Sequence, residues 1–212
     1  MYKTILKENQ IENEIKKSIF KASSSPVSSE EEAEDFIARI KEENPQARHN
    51  CYAYIIGEDR LVQKYSDDGE PQGTAGIPIL DILKKKELTD ICVVVTRYFG
   101  GILLGASGLV RAYSQACNDV CSSAKVVYKK EFLDIRLKID YNNLGKFLNY
   151  SEDEKLLIHN KEFLDFVYIE IYVPKSNYKK FTQTIMNMTS GKAIMETTDE
   201  LLINTLGDEL FI

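Results

Sequence analysis

The sequence predicts a two-domain protein of the α+β class, from its length, its composition and the order of its predicted elements. Its 212 residues are enough for two domains of about 100 residues each. With 43% hydrophobic and 28% charged residues, the chain has the composition of a globular protein and not of a disordered one. The order of strands and helices changes near Lys129, so we predict domains at 1–129 and 130–212.

The first domain is predicted to open with a strand and a helix. Loose alternation of apolar residues indicates a strand at 15–27 that ends at Pro26. Ser28 and Ser29 are each followed three residues later by a glutamate, which is the capping-box pattern of a helix start. This helix has one apolar face and is predicted to stop at Asn44-Pro45, because the residue before a proline disfavours helical backbone.

The rest of the first domain is predicted from turn signals and apolar runs. Residues 66–76 carry no apolar side chain larger than alanine or proline, which is typical of a loop. Residues 91–95 are apolar on both faces and mostly β-branched, which indicates a buried central strand. The remaining predicted elements are a β-hairpin at 50–56 and 61–65, a helix at 77–86 and a helix at 108–124.

The second domain is predicted to contain four strands and two helices in the order βαββαβ. This order is the split-βαβ or ferredoxin-like arrangement. The domain lacks a Gly/Pro-rich linker before it, so we expect the two domains to be closely coupled. Its predicted elements are strand 131–140, helix 142–150, strand 155–161, strand 164–173, helix 175–188 and strand 192–205.

The charge of the chain argues against indiscriminate binding of nucleic acid, which favours basic domains. The formal net charge is −6. Residues 1–128 contain 16 Lys and Arg against 19 Asp and Glu, and residues 129–212 contain 11 against 14, so each half carries −3. We therefore expect no DNA partner, and any contact with RNA must come from a local basic patch.

The sequence also predicts a cytoplasmic protein without membrane contact or cofactor. There is no apolar run of about 18 residues and no signal-peptide core near Met1. The four cysteines show no CxxC spacing and have no further ligands at metal-binding distance along the chain. We expect them to be reduced and structural, with a redox or metal role as the alternative.

A segment rich in arginine and glycine, residues 97–113, is the first candidate for function. Four glycines within nine residues allow the backbone to turn sharply and to present N–H groups before a helix N-terminus. Arg97 and Arg111 flank these glycines, so the segment predicts a site for an anion or a phosphate. It matches neither the P-loop nor the Rossmann fingerprint. The alternative is that the glycines only permit tight packing of loop and helix. The glycines are Gly100, Gly101, Gly105 and Gly108.

The acidic loop 66–76 admits three interpretations. Asp67, Asp68 and Glu70 could bind a divalent cation through oxygen ligands. They could instead form ion pairs with Arg97 or Arg111 and so order the two loops. The third interpretation is an ordinary solvated turn, because Asp-Gly is common in turns.

Few residues of the sequence are candidates for catalysis. His49 could act as a base beside the acidic loop, with Ser107 or Cys51 as nucleophile. However, the sequence contains neither a G-x-S-x-G elbow nor an HExxH helix. We therefore assign no catalytic residue and no metal site.

Three motifs together resemble the Impact/YigZ family. They are R-H-N-C-Y-A-Y from Arg48, Y-S-D-D-G-E-P-x-G-T-A-G-x-P-I-L from Tyr65 and V-V-V-T-R-Y-F-G-G-I-x-L-G-x-x-G-L-V-R-A-Y from Val93. The motifs cover 48–113, and the order of the elements outside them extends the resemblance over nearly the whole chain. Their combination is highly specific.

The resemblance implies a fold for each domain and a general direction for function. The first domain is expected to resemble domain 2 of ribosomal protein S5, and the second is expected to resemble domain V of elongation factor G. Eukaryotic family members regulate translation through a pathway that depends on a further domain, so we do not transfer that pathway. The role that we expect to be shared is one directed at the ribosome or at RNA.

The resulting hypothesis is a non-enzymatic, translation-associated regulatory protein that binds the ribosome or structured RNA. Arginines would contact phosphates, the carboxylates Asp67, Asp68 and Glu70 would order the arginines, and Arg97→Glu would abolish ribosome association. The alternatives are an enzyme or small-ligand protein that binds a phosphorylated metabolite, with or without a divalent metal, and a protein–protein adaptor. The predicted binding residues are Arg48, His49, Arg97, Tyr98, Gly100, Gly101, Gly105, Gly108, Arg111 and Tyr113.

Overall fold

The computed structural model describes residues 1–211, and they form two compact units. The first unit is Met1–Tyr128, and the second begins at Lys129. The boundary predicted from the sequence lies one residue further along the chain. Both units mix helices with antiparallel strands, so the α+β class is confirmed.

The first unit contains a five-stranded antiparallel sheet in the order β2-β3-β6-β4-β5. A short N-terminal strand, β1 (Tyr2–Ile5), lies outside this sheet. The sheet strands are β2 (Asn9–Ile15), β3 (Ser18–Pro26), β4 (His49–Ile56), β5 (Val62–Ser66) and β6 (Ile91–Tyr98). The helices are α1 (Glu30–Glu43), α2 (Gly76–Lys85) and α3 (Ala106–Ser123).

The central strand β6 is buried on both faces, as its sequence predicts. Val93 and Val95 belong to the core that α2 and α3 cover, whereas Cys92 and Val94 belong to the core under α1. Because successive side chains of a strand point to opposite faces, one apolar run supplies two cores. Arg97 continues the odd-numbered series and therefore points toward the α2 and α3 side.

Helix α1 begins as the capping pattern predicts. The Ser29 hydroxyl accepts a hydrogen bond from the Glu32 N–H at 3.2 Å, and the Glu32 carboxylate accepts from the Ser28 N–H at 2.6 Å. Such a cap stabilises a helix by about 1 kcal/mol. The helix buries its apolar face against the sheet, and the buried residues are Ala33, Phe36, Ile37 and Ile40.

The predicted strand at 15–27 is wrong at its start. Residues 9–26 form a hairpin, in which Ile15 pairs with Ser18 across a two-residue turn. Lys16 and Lys17 occupy that turn with φ of 48° and 63°. Positive φ at both central residues is the signature of a type I′ turn, which usually contains glycine or asparagine. Two lysines give no such signal, so the sequence pattern did not reveal the turn.

The second unit has the predicted ferredoxin-like order. Its strands are arranged β10-β7-β9-β8, with β11 outside β10. Apolar side chains from β7, β9 and both helices form its core. The elements are β7 (Val126–Ile139), α4 (Tyr141–Asp153), β8 (Leu157–Phe163), β9 (Val167–Pro174), a 3-10 turn (Lys175–Asn177), α5 (Tyr178–Met188), β10 (Ile194–Leu206) and β11 (Glu209–Phe211).

No helix within residues 1–211 has the length and apolar character needed to cross a membrane. The four cysteines are unbonded and buried. Burial raises the pKa of the Cys92 and Cys117 thiols well above the ordinary value. All four therefore belong to the packed interior of the first unit, in agreement with the structural role that the sequence predicts.

Candidate functional site

The three sequence motifs meet at one end of the sheet in the first unit. Register places His49 of β4 opposite Arg97 of β6, and Phe20 of β3 opposite Arg97 on its other side. Residues directly opposite each other in a sheet point to the same face. His49, Arg97 and Phe20 therefore form a row across three strands, on the side that the acidic loop and α3 cover.

Arg97 lies inside this row and forms a buried ion pair. Its Nη1 donates to Oε1 of Glu70 at 2.7 Å, and the two side chains are only 7% and 4% exposed. The Tyr113 hydroxyl donates to the same oxygen at 2.9 Å. Burial raises the pKa of Tyr113 far above its ordinary value, with further contributions from Cys51 and Glu70, so the phenol stays protonated and can donate.

Aromatic rings enclose the guanidinium of Arg97. Its Cζ lies 5.5 Å from the centre of the Phe20 ring and 5.6 Å from that of the Phe99 ring. Tyr113 packs edge-to-face on Phe20 at 5.3 Å. The buried Nε of Arg97 has no hydrogen-bond partner within the described chain. Arg97, expected to contact phosphate, is instead paired inside the domain, where it joins β6, the acidic loop and α3.

Asp67 orders the acidic loop through backbone groups. Its carboxylate accepts hydrogen bonds from the N–H groups of Gly73, Ala75 and Gly76 at 2.8 to 3.0 Å. Gly76 is the first residue of α2, whose N-cap residue offers no side-chain hydrogen bond. Asp67 therefore accepts hydrogen bonds from two free donors at the start of this helix and places a negative charge at its positive dipole end, although it lies nine residues before Gly76 in the chain.

Asp68 fixes the loop to neighbouring elements in a different way. One carboxylate oxygen accepts from the Asn50 N–H at 2.7 Å, and the other pairs with Lys41 Nζ at 2.9 Å. The expectation that all three carboxylates order arginines is therefore corrected. Glu70 pairs with Arg97. Asp67 instead binds backbone N–H groups at the start of α2, and Asp68 binds Lys41 of α1 and the backbone of Asn50.

His49 is oriented by the same loop. Its Nδ1 lies 2.9 Å from the Asp68 carbonyl oxygen, which can only accept a hydrogen bond, so Nδ1 is the donor. Gly69 packs on the imidazole, since an added Cβ there would lie 3.3 Å from Nδ1. The nearby Cys51 thiol donates to the Asp67 carbonyl at 2.9 Å, and burial raises its pKa to about 12. A thiol with that pKa is not ionised at neutral pH and is a poor nucleophile.

The glycines after β6 serve two structural needs. At Gly100 an added Cβ would lie 1.9 Å from the Lys17 backbone, and the Gly100 N–H donates to the Ser18 hydroxyl at 3.1 Å. Only glycine allows this approach of the β2–β3 turn to the end of β6. Gly105 has φ of 70° and is the N-cap of α3, without a side-chain cap. Gly101 also has positive φ, and Gly108 packs against Leu104.

The predicted binding residues divide into an inner and an outer set. Arg97, Tyr113 and Glu70 are buried, whereas Arg48 and Arg111 are exposed. The Arg111 Nε donates within its own helix, to the Ser107 carbonyl at 3.2 Å. Tyr98 points to the opposite face of the sheet, where its hydroxyl donates to Asn44 at 2.8 Å. The sequence motifs thus combine residues that build the site with residues that face solvent.

Sequence reasoning missed several exposed residues at this end of the sheet. Phe99 is 48% exposed and Leu103 is 83% exposed. Lys16 and Lys17 are exposed in the turn that contacts Gly100. Two features of the sequence could have indicated these exposed residues: the adjacent lysines, and an aromatic residue directly before two glycines. In residues 1–211 no group of three or more His, Cys, Asp or Glu side chains is placed to hold a metal ion.

Comparison with known proteins supports the resemblance on both units. Residues 16–121 match the Impact N-terminal domain, and residues 137–192 match a domain of unknown function, DUF1949. A crystal structure described as that of a hypothetical protein is 30% identical, with a TM-score of 0.62. The similarity covers 93% of this chain and 97% of that one.

Relatives of known sequence extend over most of the chain. The Impact family member YvyE of Bacillus subtilis is 42% identical over 91% of this chain and 88% of its own. The Impact family member YigZ of Escherichia coli is 32% identical over 88% of this chain and 93% of its own. Protein Impact of Bos taurus is 36% identical over 42% of this chain and 29% of its own. The chain therefore belongs to the Impact family.

Proposed function

We propose that this protein is a translation-associated regulatory protein that binds the ribosome or structured RNA through the outer residues of the site. The observation that carries the proposal is that exposed cations lie at the same end of the sheet as an exposed aromatic ring. Lys16, Lys17 and Arg48 lie at the same end of the sheet as Phe99. Cations beside aromatic rings are the usual means of contact with phosphates and bases.

The inner set of residues supports this function by fixing the surface. The Arg97–Glu70 pair and the Asp67 contacts tie the acidic loop to β6, α2 and α3. A preformed surface binds with a smaller entropy loss than a flexible one. The net charge of −6 opposes non-specific attraction to RNA, so binding through this surface would be local and selective.

The test is co-sedimentation of the purified protein with bacterial ribosomes at about 50 mM and about 200 mM salt. Arg48→Glu reverses an exposed charge at the site. Lys85→Glu is the matched control, because Lys85 is exposed in the same unit at the end of α2. Thr89, which follows this helix, donates to the carbonyl of Gly57, and Gly57 lies at the opposite end of β4 from His49. The end of α2 that carries Lys85 is therefore away from the site.

We expect salt-sensitive binding that Arg48→Glu weakens and Lys85→Glu preserves. Binding at neither salt concentration would contradict the proposal. In that case a panel of nucleotides and sugar phosphates tests the small-ligand alternative. A ligand at 100 times its dissociation constant stabilises a protein by about 2.7 kcal/mol, which thermal unfolding detects readily.

A further inference from the structure

Phe99 is an exposed aromatic residue in a fixed position. It is the first residue after β6, and its side chain is 48% exposed. The residue after it, Gly100, is held against the β2–β3 turn by the bond to Ser18 and by contact with the Lys17 backbone. The position of Phe99 is therefore set by packed neighbours on the chain and not by a free loop.

One face of the Phe99 ring is already occupied. The guanidinium of Arg97 lies over the ring, with Cζ 5.6 Å from its centre. Arg97 is buried and is held by Glu70, so this face is turned toward the interior of the unit. The exposed half of the ring lies away from Arg97. A rigid cation under an aromatic ring leaves the outer face as a flat, preformed surface.

Exposed cations lie at the same end of the sheet as this ring. Lys17 is exposed and its backbone touches the position next to Phe99. Arg48 is exposed and precedes His49, whose Cα is paired with that of Arg97. Arg48 is therefore level with Tyr98, one residue from Phe99. An exposed ring at the same end of a sheet as exposed cations suits a nucleotide, which combines a planar base with charged phosphates.

We infer that Phe99 stacks on an unpaired base of the bound RNA. The inference rests on the proposed function and names the part of the RNA that the site recognises. Bases inside a duplex are already stacked on their neighbours and offer no free face, whereas bases in loops, bulges and single strands do. The site is thus selective for unpaired nucleotides, and the exposed cations at this end of the sheet contact phosphates of the same strand.

Two measurements test this inference. The chain contains no tryptophan, so Phe99→Trp introduces a single indole as a fluorescent reporter at the site. It is titrated with an oligouridylate of about 12 nucleotides and with an RNA duplex of similar length. We expect quenching of the indole by the single strand and weaker binding of the duplex.

In parallel, fluorescence anisotropy of the labelled oligouridylate measures binding by four proteins. These are the unaltered protein, Phe99→Leu, Phe99→Tyr and Leu103→Ala. We expect Phe99→Leu to weaken binding by roughly 5- to 150-fold, the range for loss of one base–aromatic stack. Phe99→Tyr retains a ring and is expected to bind normally. Leu103→Ala removes another exposed apolar side chain and serves as the control.

The outcomes separate this inference from the proposed function. Equal affinity of Phe99→Leu and the unaltered protein, with both folded by circular dichroism, overturns the stacking inference and leaves ribosome association standing. Equal binding of single strand and duplex overturns it as well. Absence of any RNA or ribosome binding by the unaltered protein overturns both.

Discussion

Arg97 donates to Glu70 at 2.7 Å inside the first unit, and both side chains are less than one-tenth exposed. The two residues come from different segments: Arg97 is the penultimate residue of the central strand β6, and Glu70 lies in the loop before α2. A buried pair of this kind contributes modestly when intact, but removal of one partner leaves an uncompensated buried charge. The pair therefore links the acidic loop to β6, and we expect a single substitution of either residue to be strongly destabilising.

Arg97→Ala and Glu70→Ala are each expected to destabilise the protein by about 3–5 kcal/mol, because each leaves one buried charge without its partner. The double variant should cost clearly less than the sum of the two. Urea denaturation of all three variants measures these differences. Additive costs would show that the pair is not coupled. Arg97→Glu places two carboxylates together, so its loss of ribosome binding would reflect unfolding and not a lost phosphate contact.

Tyr113→Phe is expected to cost about 1–3 kcal/mol, because it removes a hydrogen bond to a buried carboxylate. The midpoint of urea denaturation should fall while its slope is unchanged. Tyr65→Phe is the matched control, since Tyr65 is exposed, and it should leave the midpoint nearly unaltered. Equal effects of the two substitutions would contradict the assigned role of Tyr113.

Gly100→Ala is expected to destabilise the first unit by about 1–3 kcal/mol, as other overpacked substitutions do. The added methyl group would lie 1.9 Å from the Lys17 backbone, so the β2–β3 turn must move. Gly145→Ala is the control, because Gly145 lies in α4 and an added Cβ meets nothing within 4 Å. That substitution should stabilise the protein by about 0.5–1 kcal/mol. Thermal unfolding compares the two variants, and a neutral Gly100→Ala would refute the close approach.

Asp67→Ala is expected to cost about 1–2 kcal/mol, through loss of a capping acceptor for the N-terminus of α2. Asp67→Asn retains one acceptor oxygen and should cost less. Hydrogen exchange of the Ala75 and Gly76 amides would report the change locally, because these amides lose their acceptor. Unchanged protection of both amides in Asp67→Ala would contradict the contacts.

Stability is expected to fall as pH rises above about 9. Burial raises the pKa of the Cys51 thiol to about 12 in the folded protein, whereas an unfolded cysteine ionises near its ordinary value. Between these values the unfolded state has lost the proton and the folded state has kept it, so rising pH favours unfolding. Denaturation at about pH 8, 9 and 10 measures the trend, and Cys51→Ala should reduce its slope. A slope that Cys51→Ala does not change would contradict the assignment.

Periodicity and turn chemistry were sufficient to predict the main elements. The apolar run 91–95 predicts a strand buried on both faces, and β6 is buried in that way. Ser28, Ser29 and the glutamates after them predict the start of α1, because a cap is a contact between residues close in sequence. The hairpin turn at Lys16-Lys17 escaped prediction, because its backbone conformation is imposed by strand pairing on residues that do not favour it.

For the site, the motifs were enough to identify the segments that meet there, since residue types and their spacing are local properties. Which side chains face inward depends on tertiary contacts. Arg97 and Arg111 look alike in sequence, yet Arg97 is buried with Glu70 and Arg111 is exposed on α3. The difference arises because burial depends on strand register and on what packs against each face. Those contacts join residues far apart along the chain, and no local pattern encodes them.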